Sequence, residues 1–434
     1  MQPQAPWCAI DFGTSNSAVA LPLAAGGLEL VPLEARWPTM PTAVFYASEG
    51  GIGNEPHCEF GRAAVAAYVD GLDGRLMRSM KSILGSPLLE QTTDVGAGRS
   101  VRYGDVVATY LRHLKRCAEA HAGRPLRRAV LGRPVHFVDD DPVRDRQAQQ
   151  ALEAAARRVG FEELHFQFEP IAAALDHESR LDHEQCVLVA DIGGGTSDFS
   201  VVRLSPERRQ RMDRQDDILA NHGVHLAGTD FDRRVSLASL MPLLGLGSRG
   251  PARAGQTPRE VPSGIYFDLA SWHLINTVYA PARLAEQRQM RSWYADERHH
   301  RRLMTVLLER LGHALAAAAE EAKIQAASGG QADIDLGWVE SGLRAAVSEQ
   351  QAGEAIELDC ARIETAAVET ARRAGLRAEQ IDAVYLTGGS TGLRPLAQRI
   401  VARFPRAQAV QGDPFASVAR GLGEAGLRLF GPSP

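Results

Sequence analysis

Short apolar blocks broken by glycine-rich turns run along the chain, and one such arrangement occurs twice. Residues 187–202, VLVADIGGGTSDFSVV, open with an apolar block that predicts a buried strand and close with an alternating stretch that predicts the next one. Residues 9–20, AIDFGTSNSAVA, follow the same plan: apolar block, aspartate, a turn holding Gly13, apolar continuation. With Asp11 and Asp191 in matching places, the two hairpins indicate an internal duplication of one unit. Around the first hairpin the pattern predicts strands over 28–33, 44–46, 128–135 and 164–168. It predicts helices over 61–70, 103–122, 142–159 and 171–175, the second with Val106, Val107, Tyr110, Leu111 and Leu114 at helical spacing. Beyond the second hairpin, 206–217 reads as a charged, solvated loop. Next come a helix over 231–240 capped by Thr229 or Asp230 and a Gly/Pro/Arg-rich loop over 245–264. The remainder predicts an alanine-rich helix over 303–327, strands over 334–336, 355–358 and 383–389, and helices over 360–375, 393–403 and 414–430. Strands and helices in alternation give an α/β class.

Composition narrows the picture a little. A chain of 434 residues is long enough for two domains, and a net charge of −5 argues against nucleic acid or anionic membrane as the main partner. The five cysteines are scattered without a C-x-x-C pair, so neither a zinc site nor a disulfide framework is indicated. The start, MQPQAPWCAIDFG, has neither a basic nor an apolar leader segment, and no run of about 18 apolar residues occurs. A cytoplasmic protein is therefore expected.

The turns carry the candidate chemistry. Gly193, Gly194 and Gly195 leave backbone N–H groups unobstructed, so the turn can curl around an anion. Asp191 and Asp198 flank it and Thr196 adds a hydroxyl; carboxylates beside a phosphate cradle suit a metal held through its waters. The first hairpin offers Gly13 with Thr14, Ser15 and Asn16. Two such loops face to face would grip a polyphosphate from both sides. Glu169 precedes Pro170 at a strand end, where open α/β sheets do chemistry, although a helix cap would read the same. Lys81 stands among apolar residues and, taken alone, reads as a surface lysine. Glu320 and Lys323 share one helical face and could equally be a surface ion pair.

These segments together resemble the DnaK-like heat-shock chaperones of the seventy-kilodalton class. IDFGTSNS and DIGGGTSD resemble the two phosphate motifs, FEPIAAAL the first connecting segment and LTGGST the adenosine motif. HLAGTDFD, EEAK and the Lys81 segment are similar to heat-shock chaperones more than to actin-like filaments. The resemblance implies an actin-like ATPase fold of two lobes, each with a ribonuclease-H-like core, around an interlobe nucleotide cleft. Lobe I would be residues 1–183, with a C-terminal helix from 412–434 packing back on it. Lobe II would be 184–411, with a lid-like subdomain at about 235–354. It also implies ATP or ADP with Mg2+ as ligands. Asp11, Asp191 and Asp198 would orient the metal; Gly13, Thr14, Ser15, Asn16, Gly193, Gly194, Gly195 and Thr196 would meet the phosphates. Lys81 and Glu169 would position the attacking water, with Asp191 and Thr196 beside them. Glu320 and Lys323 would contact the ribose, and Gly388, Gly389 and Ser390 would back the adenosine. Two arginines usual in the family are replaced by Ile324 and Gly392, which implies a looser hold on adenine. The chain is similar to the short, YegD-like members with the ATPase domain and no peptide-binding domain, so its output is expected to be read by a separate protein partner. The functional expectation is a slow, chaperone-like ATPase; the alternatives are an adaptor that binds ATP with negligible turnover and, less favoured, a polymerising actin-like protein.

Overall fold

Alternation along the first strand decides how the molecule is layered. In a computed structural model of the chain, describing residues 6–24, 26–52, 55–211, 213–251, 257–327, 329–413 and 416–431, strand β1 (Trp7–Phe12) turns Cys8, Ile10 and Phe12 to one face of its sheet. Trp7 and Ala9 go to the other face, and all five are buried. A sheet buried on both faces needs cover on both. β1 pairs antiparallel with β2 (Asn16–Pro22), and β2 with β3 (Leu28–Leu30). On its other side β1 runs parallel to β4 (Arg128–Arg133), and β4 to β5 (Glu163–Phe168), giving the order β5-β4-β1-β2-β3. A short strand, Thr39–Pro41, also pairs with β2.

The second sheet repeats the plan. β6 (Gln185–Ile192) makes a hairpin with β7 (Ser197–Leu204), which pairs with β8 (Ile218–Val224). β6 is parallel to β9 (Ala383–Thr387), and β9 to β10 (Gln408–Gln411), in the order β8-β7-β6-β9-β10. Order and strand sense match the first sheet throughout. The duplicated hairpin therefore belongs to a duplicated sheet, and Asp11 and Asp191 are each the penultimate residue of a central strand.

Two helices fill the space between the sheets. Ile171–Leu175 of the Glu169–Glu178 helix and Val418, Leu422 and Ala425 of the Ser417–Phe430 helix form one apolar cluster with Trp7, Ala9 and Val130 of the first sheet. Val187, Val189, Val202 and Tyr385 of the second sheet join the same cluster. The outer face of the first sheet is covered by the Tyr103–Ala122 and Pro142–Arg158 helices, and that of the second by Gly228–Val235 and Glu349–Arg373. The two middle helices approach closely because one supplies glycine: a Cβ at Gly421 would lie 1.8 Å from the Ala172 carbonyl oxygen, and one at Gly426 2.2 Å from the Trp7 ring. Among the described residues no helix is long and apolar enough to cross a membrane.

Several expectations are corrected. Residues 355–358 are not a strand but part of the 25-residue Glu349–Arg373 helix. The E-A-I-E-L alternation mimics a strand, whereas Ala352, Ile356, Ile363 and Ala367 make the buried helical face and Leu358 is 76% exposed. The 303–327 helix is two, Glu297–Leu308 and Gly312–Ala327, parted where Arg310 adopts a left-handed conformation. The run 206–217 is not simply solvated. Arg214 is 2% exposed, makes a bidentate pair with Glu178 at 2.8 and 3.1 Å, and also bonds Asp217, tying this loop to the end of a middle helix. The expected strand at 44–46 extends over Ala43–Ile52, and the Phe231 helix starts earlier, as Gly228–Val235, with Ala227 as its cap residue. Of the expected 245–264 loop, residues 252–256 lie outside the described residues, as do Pro414 and Phe415 of the expected 414–430 helix.

Gly421→Val is expected to destabilise the protein by about 3 kcal/mol, because its side chain must displace the backbone of Ala172 rather than a movable group. Urea denaturation followed by circular dichroism measures this; an unchanged midpoint would show that the helix contact yields.

Candidate functional site

The two hairpins open into one cavity of about 490 Å3 between the sheets. Every expected site residue lines it except Gly195, whose neighbours Gly194 and Thr196 do. From the first hairpin come Asp11, Gly13, Thr14, Ser15 and Asn16; from the second, Asp191, Gly193, Gly194, Thr196 and Asp198. The hairpins nearly touch: a Cβ on Gly194 would lie 3.2 Å from the Ser15 Oγ. Gly388 has positive φ, and a side chain there would run into the Asp191 carboxylate at 2.5 Å, so only glycine fits both the turn and the approach.

Lys81 is not a surface residue. A short turn, Met80–Ile83, entered through Ser79 in a left-handed conformation, aims it into the cavity. It is 8% exposed, and its ammonium lies 2.5 Å from Glu169, the first residue of a middle helix. Gly132 on β4 leaves room for that carboxylate; a Cβ there would stand 3.1 Å from Glu169 Oε1. Burial works against the lysine's charge, but Glu169 and Asp11 outweigh it and raise its pKa.

Negative charge is in excess around this lysine. Asp11, Glu169, Asp191 and Asp198 all line the cavity with it. Burial, then Glu169 and Asp191, push the Asp11 carboxyl up to about 8, with Lys81 opposing. Burial, then Asp198 and Glu169, push Asp191 up to about 7; these two aspartates stand directly opposite each other across the hairpin. Asp198 is raised as well, chiefly by burial, with the Thr196 hydroxyl opposing. Carboxyls held this far above their ordinary range lack counter-charge, and a divalent cation is the ligand that fits them. Among the described residues no three ligating side chains converge on one point. Asp11, Asp191 and Asp198 line the cavity together and are the aspartates that would face such a cation.

The far end of the cavity combines apolar residues with a buried ion pair. Ile324, Ala327, Leu393 and Gly392 line it, and Gly392 has open space where a side chain would be. Glu320 is exposed and lines the same end, but Lys323 is buried with its ammonium 2.5 Å from Asp232. Asp232 was not legible as a site residue, and its partner is therefore engaged within the protein. Gly389 and Ser390 also line the cavity.

The two sides of the cavity also meet away from it. Tyr68 packs on Trp272 at 5.2 Å and on His313 at 5.4 Å, while Arg78 lies 4.4 Å over the Trp272 ring. Asn276 bonds both His313 and the Tyr68 carbonyl. Arg78 is three residues from Lys81, and His313 is in the first turn of the helix that carries Glu320 and Lys323.

A doubled α/β unit with two glycine hairpins facing each other across a cleft defines the actin-like ATPase fold. A family model described as Hsp70 protein matches residues 86–238, which hold Glu169 and the second hairpin. The chaperone protein DnaK of Thermosipho melanesiensis is 30% identical over 228 residues, covering 52% of this chain and 34% of that protein. DnaK of Thermosipho africanus and of Thermotoga neapolitana match to the same extent. The match thus spans about a third of those relatives' length. Over the matched residues the chain is similar to the Hsp70 class of heat-shock proteins.

A carboxyl with a pKa higher folded than unfolded binds its proton more tightly when folded. Ligand-free stability should accordingly fall as pH rises from the ordinary carboxylate range to about 8. Asp11→Asn is expected to flatten that fall and raise the ligand-free melting temperature at pH 8. Thermal melts between pH 5 and 8 test this, and a variant that melts lower at pH 8 would contradict it.

Proposed function

We propose that this protein binds Mg-ATP in the cleft and hydrolyses it slowly to ADP and phosphate, as a chaperone-like ATPase acting with a separate protein partner in the cytoplasm. The observation that carries the reading is the buried Lys81–Glu169 pair set against two opposed glycine hairpins. Phosphoryl transfer needs positioning and charge neutralisation more than covalent chemistry, and these parts supply both. The hairpins' N–H groups and the hydroxyls of Thr14, Ser15 and Thr196 hold phosphate oxygens. Glu169, fixed by Lys81, orients a water in line with the γ-phosphorus. The bond from phosphorus to the β,γ-bridging oxygen breaks as the water's oxygen bonds, and Lys81 offsets the charge that develops. Asp11, Asp191 and Asp198 would hold magnesium through its waters, and the ion would neutralise the phosphates when bound. The far end, with Ile324 and Gly392, receives the base with no arginine at either of those positions.

Saturating Mg-ATP is expected to raise the melting temperature, since a ligand at about 100 times its Kd stabilises by about 2.7 kcal/mol. Lys81→Ala is expected to abolish steady-state turnover while leaving calorimetric ATP affinity within about threefold, because its charge acts mainly in the transition state. Asp191→Asn should weaken magnesium-dependent binding instead. Undetectable turnover by the wild-type protein, with ATP bound, would select the adaptor reading. Normal turnover without Lys81 would remove the lysine from the mechanism.

The base end generates a separate expectation. Calorimetric affinities for ATP and GTP should agree within about tenfold, a gap below 1.4 kcal/mol. A sharper preference for ATP would show that the base is read by a group other than Ile324 or position 392.

A further inference from the structure

Each phosphate hairpin is held from behind by a threonine. In the first half, Thr42 donates twice: its N–H to the Ser15 carbonyl at 2.9 Å and its hydroxyl to the Gly13 carbonyl at 2.8 Å. In the second, Thr229 donates its N–H and its hydroxyl to the Gly194 carbonyl, at 2.8 and 2.9 Å. Ser390 completes the second set with its hydroxyl 2.7 Å from the Gly193 carbonyl, which Gly228 N–H also approaches at 3.3 Å. Thr42 is itself fixed, because it is 1% exposed and its hydroxyl meets Ser17 Oγ at 2.9 Å.

In a trans peptide the carbonyl of one residue and the N–H of the next point in opposite directions. Pinning the carbonyls of Gly13, Gly193 and Gly194 therefore turns the N–H groups of Thr14, Gly194 and Gly195 the other way. None of these three has a hydrogen-bond acceptor among the described residues. A glycine turn left free can flip its peptides at little cost, and a flipped peptide would present a carbonyl to an anion. We propose that Thr42 and Thr229, with Ser390, are positioning residues that lock the hairpin peptides so that their N–H groups face a polyphosphate. They set affinity for the phosphate chain and not for the nucleoside. The same device serves both halves, from non-homologous places: Thr42 lies between two strands, and Thr229 in the first turn of the Gly228–Val235 helix. This rests on the nucleotide reading above and specifies which part of the ligand these residues govern.

The test uses the full chain with Thr229→Val, Thr229→Ser, Thr42→Val and Thr42→Ser. Thr229 is exposed, so its valine variant should keep the wild-type melting temperature; Thr42 is buried, and its serine variant controls for packing. Calorimetry with Mg-ATP, magnesium tripolyphosphate and adenosine should show each valine variant weakened about three- to tenfold for the first two. Adenosine affinity should be unchanged, and serine should restore the wild-type values. In the ligand-free protein, amide hydrogen exchange at Gly193, whose N–H bonds the Thr196 carbonyl across the turn at 2.9 Å, should speed up in Thr229→Val and not in Thr229→Ser. Equal losses for adenosine and Mg-ATP, failure of serine to rescue, or unchanged exchange would overturn the proposal. A wild-type protein that binds no nucleotide would defeat the functional reading instead, and the exchange comparison would still decide whether the threonine locks the turn.

Discussion

The contact between the two middle helices is the constraint on which the site depends. Gly421 lies against the backbone of Ala172, and one apolar cluster runs through both helices to the inner face of each sheet. The distance and angle between the sheets follow from that contact, and so does the spacing of the two hairpins. The same helices end in the cavity: Glu169 begins one, and Ser417 and Val418 begin the other. Their positive dipole ends therefore point toward the place where phosphate would lie.

Above this floor the protein concentrates like charge. Asp11, Asp191 and Asp198 line the cavity with Glu169, and Lys81 sets one ammonium among them. An enclosure of this kind is disfavoured when empty, and a cation with a polyphosphate would relieve it. The threonine-pinned turns act in the same direction, since peptides already oriented need no reordering on binding.

The fold was legible wherever a local pattern and a tertiary pairing agreed. The matched aspartates of the two hairpins implied a duplication, and the identical strand orders of the two sheets display it. Legibility failed where a contact joins residues remote in sequence. Lys81 reads as an ordinary lysine until Glu169, 88 residues away, is seen beside it. Arg214 belongs to a run that composition marks as solvated, and only Glu178 and Asp217 make its burial tolerable. Lys323 looked like a partner for Glu320 one helical turn away, whereas Asp232 holds it. Thr42 carries no motif at all, because its role lies in backbone carbonyls that every residue possesses. The false strand at 355–358 has the opposite origin: a short alternation satisfied two periods at once, and burial on the sheet chose the helical one.

The ring cluster of Tyr68, Trp272 and His313 has a kinetic meaning. Tyr68 sits on the Gly61–Val69 helix and His313 on the helix bearing Glu320, so the two sides of the cleft also meet through these rings, with Arg78 over Trp272. Separating the two sides would require these rings to part, so the ring contact bears on how readily the cleft opens, and the hairpins on what it can hold. Those two properties can be altered independently, by substitutions in regions of the chain that do not touch.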